Sequence, residues 1–256
     1  MTAVNLRRKP DDAEYAGRER WFIVVKPRNS GPIFEQTKIL TKKHNDYFQV
    51  YDHVFEKYID KEITFVEIGV FHGGSLLMWR EYFGDKARII GIDINPNAKK
   101  AEELGFEIFI GDQGKPEFWA DFFEQIGPVD IVLDDGGHCY DEQITTTECC
   151  IPHIKDGGLL VVEDTHTSYM QKFGYQKQPT FIDYVKGMID RINFRAGVLK
   201  EAQHPAEWRV WAIRILQSFV IFDVHGSRSR FTSTPVTNSG EEFVEGARLG
   251  TSRLPK

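Results

Sequence analysis

The chain has 256 residues, 41% of them hydrophobic and 27% charged, with a formal net charge of −6. That is the composition of a globular protein long enough to bury a sizeable core, and the negative balance argues against a mainly nucleic-acid-binding role. No apolar run approaches the roughly 20 residues of a membrane span, and the first 20 residues lack the apolar stretch of a secretory signal.

Residues 1–20 are polar and poor in large apolar groups, so a flexible arm is expected there. "WFIVVKP" reads as a short strand, and residues 21–60 as a mostly helical or lid segment with aromatics at Phe48, Tyr51 and Phe55. The basic clusters "LRRK", "TKK" and "RSR" read as solvated surface. From Ile63 strand and helix patterns alternate: "ITFVEIGV", "SLLMWREYF", "RIIGIDI", "AKKAEEL", "FEIFIGD", "EFWADFFEQI", "VDIVLDD", "DEQITTTECCIPHI" and "GLLVVED". Such alternation specifies a parallel sheet covered on both faces by right-handed crossovers, an α/β doubly wound domain over residues 61–235. Residues 165–215 break the rhythm and read as a substrate lid inserted after a strand end, with "TFIDYVKGMIDRINF" helical. "SFVIFDV", the turn "HGS" and "RSRFTS" form an expected antiparallel hairpin, and residues 236–256 a loose tail. Three cysteines, Cys149 and Cys150 adjacent, give no disulfide framework, so a reducing cytoplasm is the expected home.

The first strand ends in "EIGVFHGGS", Glu67 to Ser75. Gly69, Gly73 and Gly74 do not fit the dinucleotide spacing G-x-G-x-x-G, and a P-loop would need Lys where Ser75 stands. An acid before a glycine-bearing loop suits a cofactor with an ammonium to hold and no phosphate to cradle, namely S-adenosylmethionine. Asp93, ending strand two, is placed to accept ribose hydroxyls. Asp112 and Gln113, in "GDQ" after strand three, lie on the adenine side. Each acid alone could simply cap a helix; their order at three successive strand ends favours the nucleoside.

Two later strands end in acids: "DIVLDDGGH" in Asp134 and Asp135, and "GLLVVEDTH" in Glu163 and Asp164. If those strands are neighbours, Asp135, Glu163 and Asp164 converge, and carboxylates crowd together only with a compensating cation. All-oxygen ligands favour Mg²⁺, which keeps positions open for water or substrate hydroxyls. His138, three residues after Asp135, is then placed as a general base for an alcohol nucleophile; its alternative is a backbone-bonded residue at a helix start. His166 and His72 are weaker candidates, and Cys139 reads as packing. Tyr169, Phe173 and Tyr175 in the lid could cover sugar faces or simply pack.

With "FVEIGVFHGGSLLMW", "IIGIDINP", "GDQ", "DIVLDDGGH", "GGLLVVEDTHTSY" and "FIDYVKGMID" in this order, residues 40–225 resemble the metal-dependent class I methyltransferases of sugar hydroxyls. The likeness is to macrolide deoxysugar O-methyltransferases of the mycinamicin and tylosin type; short relatives methylate mannosides. The resemblance implies a Rossmann-like, mostly parallel seven-stranded sheet with an antiparallel last strand. It also implies Mg²⁺ on Asp135, Glu163 and Asp164, His138 as base, Asp134 facing S-adenosylmethionine, a glycoside or oligosaccharide acceptor, and a homo-oligomer. Gly69, Gly73 and Ser75 fall in its cofactor loop. Two departures stand out: only about 60 residues precede strand one, and Gly137 stands where the family often has Ser. A catechol or phenol O-methyltransferase, a hydroxylase-like relative and a non-catalytic cofactor-binding module are the competing readings.

Overall fold

The computed structural model describes residues 28–174, 179–193, 205–229, 236 and 238–240. The expected N-terminal arm, the "WFIVVKP" strand, "RFTS" and almost all of the C-terminal tail fall outside them. Five parallel strands, β1 (Thr64–Ile68), β2 (Arg88–Asp93), β3 (Glu107–Ile110), β4 (Val129–Asp134) and β5 (Ile154–Val162), alternate with helical segments as the periodicity predicts. The sheet is completed by β6 (Val210–Leu216) and β7 (Phe219–Val224) in the order β3-β2-β1-β4-β5-β7-β6. Only β7 runs against its neighbours. β1 lies between β2 and β4, so the topological switch, where an open α/β sheet opens a crevice, is at the β1 and β4 carboxyl ends.

The parity of each strand sorts its side chains to two cores, because successive strand residues face opposite ways. Phe65, Ile131, Leu133, Leu159 and Val161 point to an aromatic core built with α2 (Tyr47–Phe55) and α3 (Gly74–Phe83), including Tyr51, Phe55 and Trp79. Val66, Val132, Leu160 and Val162 point to the opposite core with Trp119 and Phe122 of α4 (Pro116–Ile126) and Phe181 of α6 (Phe181–Ile192). Burying each aromatic contributes on the order of 2–3 kcal/mol before entropy is charged. This two-faced core holds the strand ends at fixed height.

Several boundaries differ from the sequence reading. The helical stretch before β1 is two helices, α1 (Ser30–Gln36) and α2, separated by a connection from Thr37 to Asp46 without helix or strand. "AKKAEEL" belongs to a 3₁₀ segment, Pro96–Leu104, and the lid ends earlier than expected because its last residues are β6. The hairpin is therefore "VWAIRIL" with "FVIFDV", closed by Gln217 and Ser218. Ser218 takes a φ of +64°, the left-handed geometry that two-residue hairpins favour. "HGS" instead leads into a short helical turn, Gly226–Ser229. The described cysteines are free, and no helix among the described residues is long and apolar enough to cross a membrane.

Candidate active site

A cavity of about 460 Å³ opens at the carboxyl ends of β1 to β5. Its walls include Gly69, Ser75, Asp93, Asp112 and Gln113 together with Asp135, His138, Glu163 and Asp164. The Thr37-to-Asp46 connection supplies a further wall with Thr41, Lys42, Lys43 and His44.

Strand parity explains why the acids divide. Glu67, Asp135 and Glu163 continue the register of Phe65, Leu133 and Val161 and emerge on the α2 and α3 side. There they meet Lys43, whose ammonium donates to Asp135 Oδ2 at 2.7 Å, to Glu67 Oε1 at 3.4 Å and to both Glu163 oxygens at 3.5 Å. Lys43 and the two glutamates are essentially buried. Burial alone would depress the lysine, but Asp135, Glu163 and Glu67 outweigh it and hold the amine well above its ordinary value. Glu163 is pushed up by burial and by Asp135, partly relieved by Lys43 and by the Tyr51 hydroxyl, which donates at 2.7 Å. One ammonium among three carboxylates leaves the group short of positive charge.

Asp164 behaves differently. Its φ of +54° takes it out of strand geometry, and His138 has a φ of +60°; both are uncommon for residues bearing a Cβ. These turns bring His138 Nε2 to 3.4 Å from Asp164 Oδ2 and 3.9 Å from Asp135 Oδ1. Tyr47 donates its hydroxyl to Asp164 Oδ1 in a short hydrogen bond. Among the described residues, Asp135, His138 and Asp164 form a group whose potential ligand atoms all lie within 4.8 Å of one another. His138 Nδ1 is buried without a hydrogen-bond partner, and Thr167 Oγ1 donates to the His138 carbonyl. The Phe173 ring stands edge-on, 6.3 Å from the imidazole.

At the Asp93 end of the cavity the backbone is tightly organised. Asp93 Oδ2 accepts from the Val70 and Phe71 amides and Oδ1 from Asn95, which fixes the loop after β1 against β2. Gly69 has a φ of +95°, and a Cβ there would strike the carbonyl oxygen of Asp135, so glycine is required where β1 and β4 converge. Ser75 Oγ donates to Glu67 Oε2 at 2.7 Å. Asp112 Oδ1 accepts from the Gly114 amide. Gln113 spans the loop: its Nε2 donates to Asp134 Oδ1 at 2.9 Å and its Oε1 accepts from the Gly137 amide at 2.9 Å.

Several expected roles meet different surroundings. Glu67, read as holding a cofactor ammonium, is held by the ammonium of Lys43. Asp134 is buried on the opposite core side and bonded to Gln113 and the Gly136 amide; burial raises its carboxyl to about 6. Gly73 is the N-cap of α3, with a positive φ, and does not line the cavity. His166 contacts Ser218 and lies 3.9 Å from Asp164, Tyr169 is exposed, and Tyr175 falls outside the described residues. Cys139 caps α5 (Tyr140–Cys150) in a reciprocal capping box with Glu142. The sequence reading missed Lys43, taken as surface in "TKK", and assigned no site role to Tyr47 or Tyr51. Their helical spacing of four with Phe55 hides the hydroxyls that reach Asp164 and Glu163.

Residues 66–165 match a family model described as a methyltransferase domain. The demethylmacrocin O-methyltransferase of Streptomyces fradiae is 34% identical over 154 residues, 56% of this chain and 38% of that one. The 8-demethyl-8-alpha-L-rhamnosyl tetracenomycin-C 2'-O-methyltransferase of Streptomyces olivaceus is 33% identical over 171 residues, 63% and 44% of the two chains. The chain thus spans less than half the length of these relatives. The solved MycE methyltransferase of mycinamycin biosynthesis, in complex with Mg, SAH and mycinamycin VI, superposes with a TM-score of 0.70 at 25% identity. That match covers 82% of this chain and 56% of the other.

Proposed function

We propose that this chain transfers a methyl group from S-adenosylmethionine to a hydroxyl of a glycoside, assisted by a divalent ion. The observation that carries the reading is the Asp135, His138 and Asp164 group in a cavity that Asp93 and Gln113 also line. Its support in kinship is that a similar protein is named for O-methylating a rhamnosyl tetracenomycin.

The donor chemistry fits both groups. Two partly open carboxylates, Asp135 and Asp164, converging beside the His138 imidazole suit a hard cation whose other positions stay free. Asp135 and Asp164 would hold the ion, joined by Glu163 if Lys43 gives it up. Gly69, Ser75, Asp93, Asp112 and Gln113 would cradle the nucleoside and amino-acid parts of the cofactor, with Gly73, Glu67 and Asp134 supporting them from behind. When bound, S-adenosylmethionine supplies the methyl group with its sulfonium leaving group, and Mg²⁺ supplies Lewis acidity toward the acceptor hydroxyl.

The chain's own residues do the rest. His138 Nε2 would accept the proton of an acceptor hydroxyl held in the cavity. Asp164 Oδ2, 3.4 Å from the same nitrogen, would stabilise the imidazolium once Nε2 carries the proton. Gln113 fixes the Gly136-Gly137 loop that carries His138. Phe173, with His166 and Tyr169 nearby in the chain, would line the acceptor side and exclude water.

Incubation with S-adenosylmethionine, Mg²⁺ and a panel of glycosides should give a product one methylene heavier, abolished by a chelator. Cofactor binding without transfer to any glycoside, or preferred transfer to a catechol, would overturn the acceptor class.

A further inference from the structure

We infer that Lys43 is a built-in competitor for the divalent ion: its ammonium stands between Asp135 and Glu163, so an ion held by both carboxylates binds only as Lys43 withdraws. The inference rests on the metal-dependent reading above and concerns how the site is loaded.

Lys43 Nζ lies 2.7 Å from Asp135 Oδ2 and 3.5 Å from each Glu163 oxygen. A Mg²⁺ ion sits about 2.0–2.1 Å from its oxygen ligands. An ion bridging these same oxygens would fall on the volume the ammonium fills, and two cations in one buried space repel strongly. The chemistry of the residue fits a displaceable occupant. A lysine is a point charge on a flexible stem, whereas an arginine would lock carboxylates in a planar fork. The acids need a cation in either state: Glu67 and Glu163 are fully buried, and a single ammonium does not neutralise them together with Asp135.

Lys43 also sits on the Thr37-to-Asp46 connection, which has neither helix nor strand. Its neighbours Thr41, Lys42 and His44 form one wall of the cavity, and the Ile39 and Leu40 carbonyls lie over Gly74 at the start of α3. Lys43 is itself part of that wall, so withdrawal of its ammonium changes the lining of the cavity.

The alternative is an ion confined to Asp135 Oδ1, His138 and Asp164 with Lys43 in place. Mn²⁺ binding to the full chain, followed by electron paramagnetic resonance of the free ion, separates the two. If Lys43 competes, Lys43→Met should bind Mn²⁺ about tenfold or more tightly than the unaltered chain, and Glu163→Gln about tenfold more weakly. If Lys43 instead supports the site, Lys43→Met would bind Mn²⁺ equally or less tightly than the unaltered chain, and that result overturns the inference, as does unchanged affinity in Glu163→Gln. Should Lys43→Met fold poorly, its thermal midpoint is read with and without Mn²⁺; a larger ion-induced rise than in the unaltered chain supports competition, and an equal or smaller rise refutes it. Tight binding that neither variant changes leaves the metal-dependent reading standing without the competitor. No Mn²⁺ binding in any of the three proteins removes both.

Discussion

At the end of β5, Glu163 is fully buried, with its carboxylate between the Tyr51 hydroxyl and the Lys43 ammonium. One residue later Asp164 is partly open, facing the Tyr47 hydroxyl and the His138 imidazole. The two acids are adjacent in sequence, yet the first is served from within the fold and the second is left accessible to a ligand. The difference comes from the backbone. Glu163 keeps strand parity and enters the aromatic core side, whereas Asp164 turns into the left-handed region and faces the cavity. An acid buried in a core must bring its own compensation, while an acid at a cavity rim can wait for a cation from solution.

The largest effect should come from the open side. His138→Ala is expected to lower turnover by about 10²–10⁴-fold, the usual contribution of a positioned base. Calorimetry should find S-adenosylmethionine affinity retained and circular dichroism the fold unchanged; undiminished turnover would remove His138 from the chemistry. Gly69→Ala strikes the joint that holds the two regions together. With a positive φ and the Asp135 carbonyl in the way, it should lower stability by about 1–3 kcal/mol in denaturant unfolding. A variant as stable as the parent would mean that β1 and β4 can part without cost.

Tyr51→Phe tests the interior side alone. It removes a buried donor from Glu163 and should lower stability by about 1–3 kcal/mol while leaving the rim acids in place. Unchanged stability would show that Lys43 suffices for Glu163. The smallest effect belongs to an exposed pair, Arg88 and Glu107, joined at 2.6 and 2.7 Å on the sheet surface. Arg88 holds the Glu107 carboxyl below its ordinary value. The pair's contribution is therefore present above the usual carboxylate range and fades as pH falls through the depressed value. Solvent screening keeps it under about 1 kcal/mol, so Arg88→Ala should barely move the denaturation midpoint at neutral pH. A loss as large as that of Tyr51→Phe would erase the distinction between buried and exposed compensation.

The parallel strands and their acidic ends were legible because buried strands write themselves as apolar runs and glycine marks the turns. Asp135, His138 and Asp164 follow from that pattern, and the structure brings them together. The division of the acids was not read, although alternation along a strand already assigns Glu67, Asp135 and Glu163 to one face and Asp134 to the other. Lys43 was hidden for a different reason. A lysine beside another lysine in a polar stretch looks solvated, and only the long-range contact with three strand ends makes it a core residue. The hairpin was displaced because no glycine or proline marks the turn between "VWAIRIL" and "FVIFDV", which depends instead on a serine in left-handed geometry.

The most direct test of the site is a crystal grown with Mn²⁺ and S-adenosylhomocysteine, read by anomalous scattering at the manganese edge. The expected result is one ion bound by Asp135 and Asp164, with His138 facing its open positions and the nucleoside along Asp93 and Gln113. The cofactor product in place with no ion between these carboxylates, or with His138 turned away from the cavity, would contradict a metal-assisted transfer at this rim.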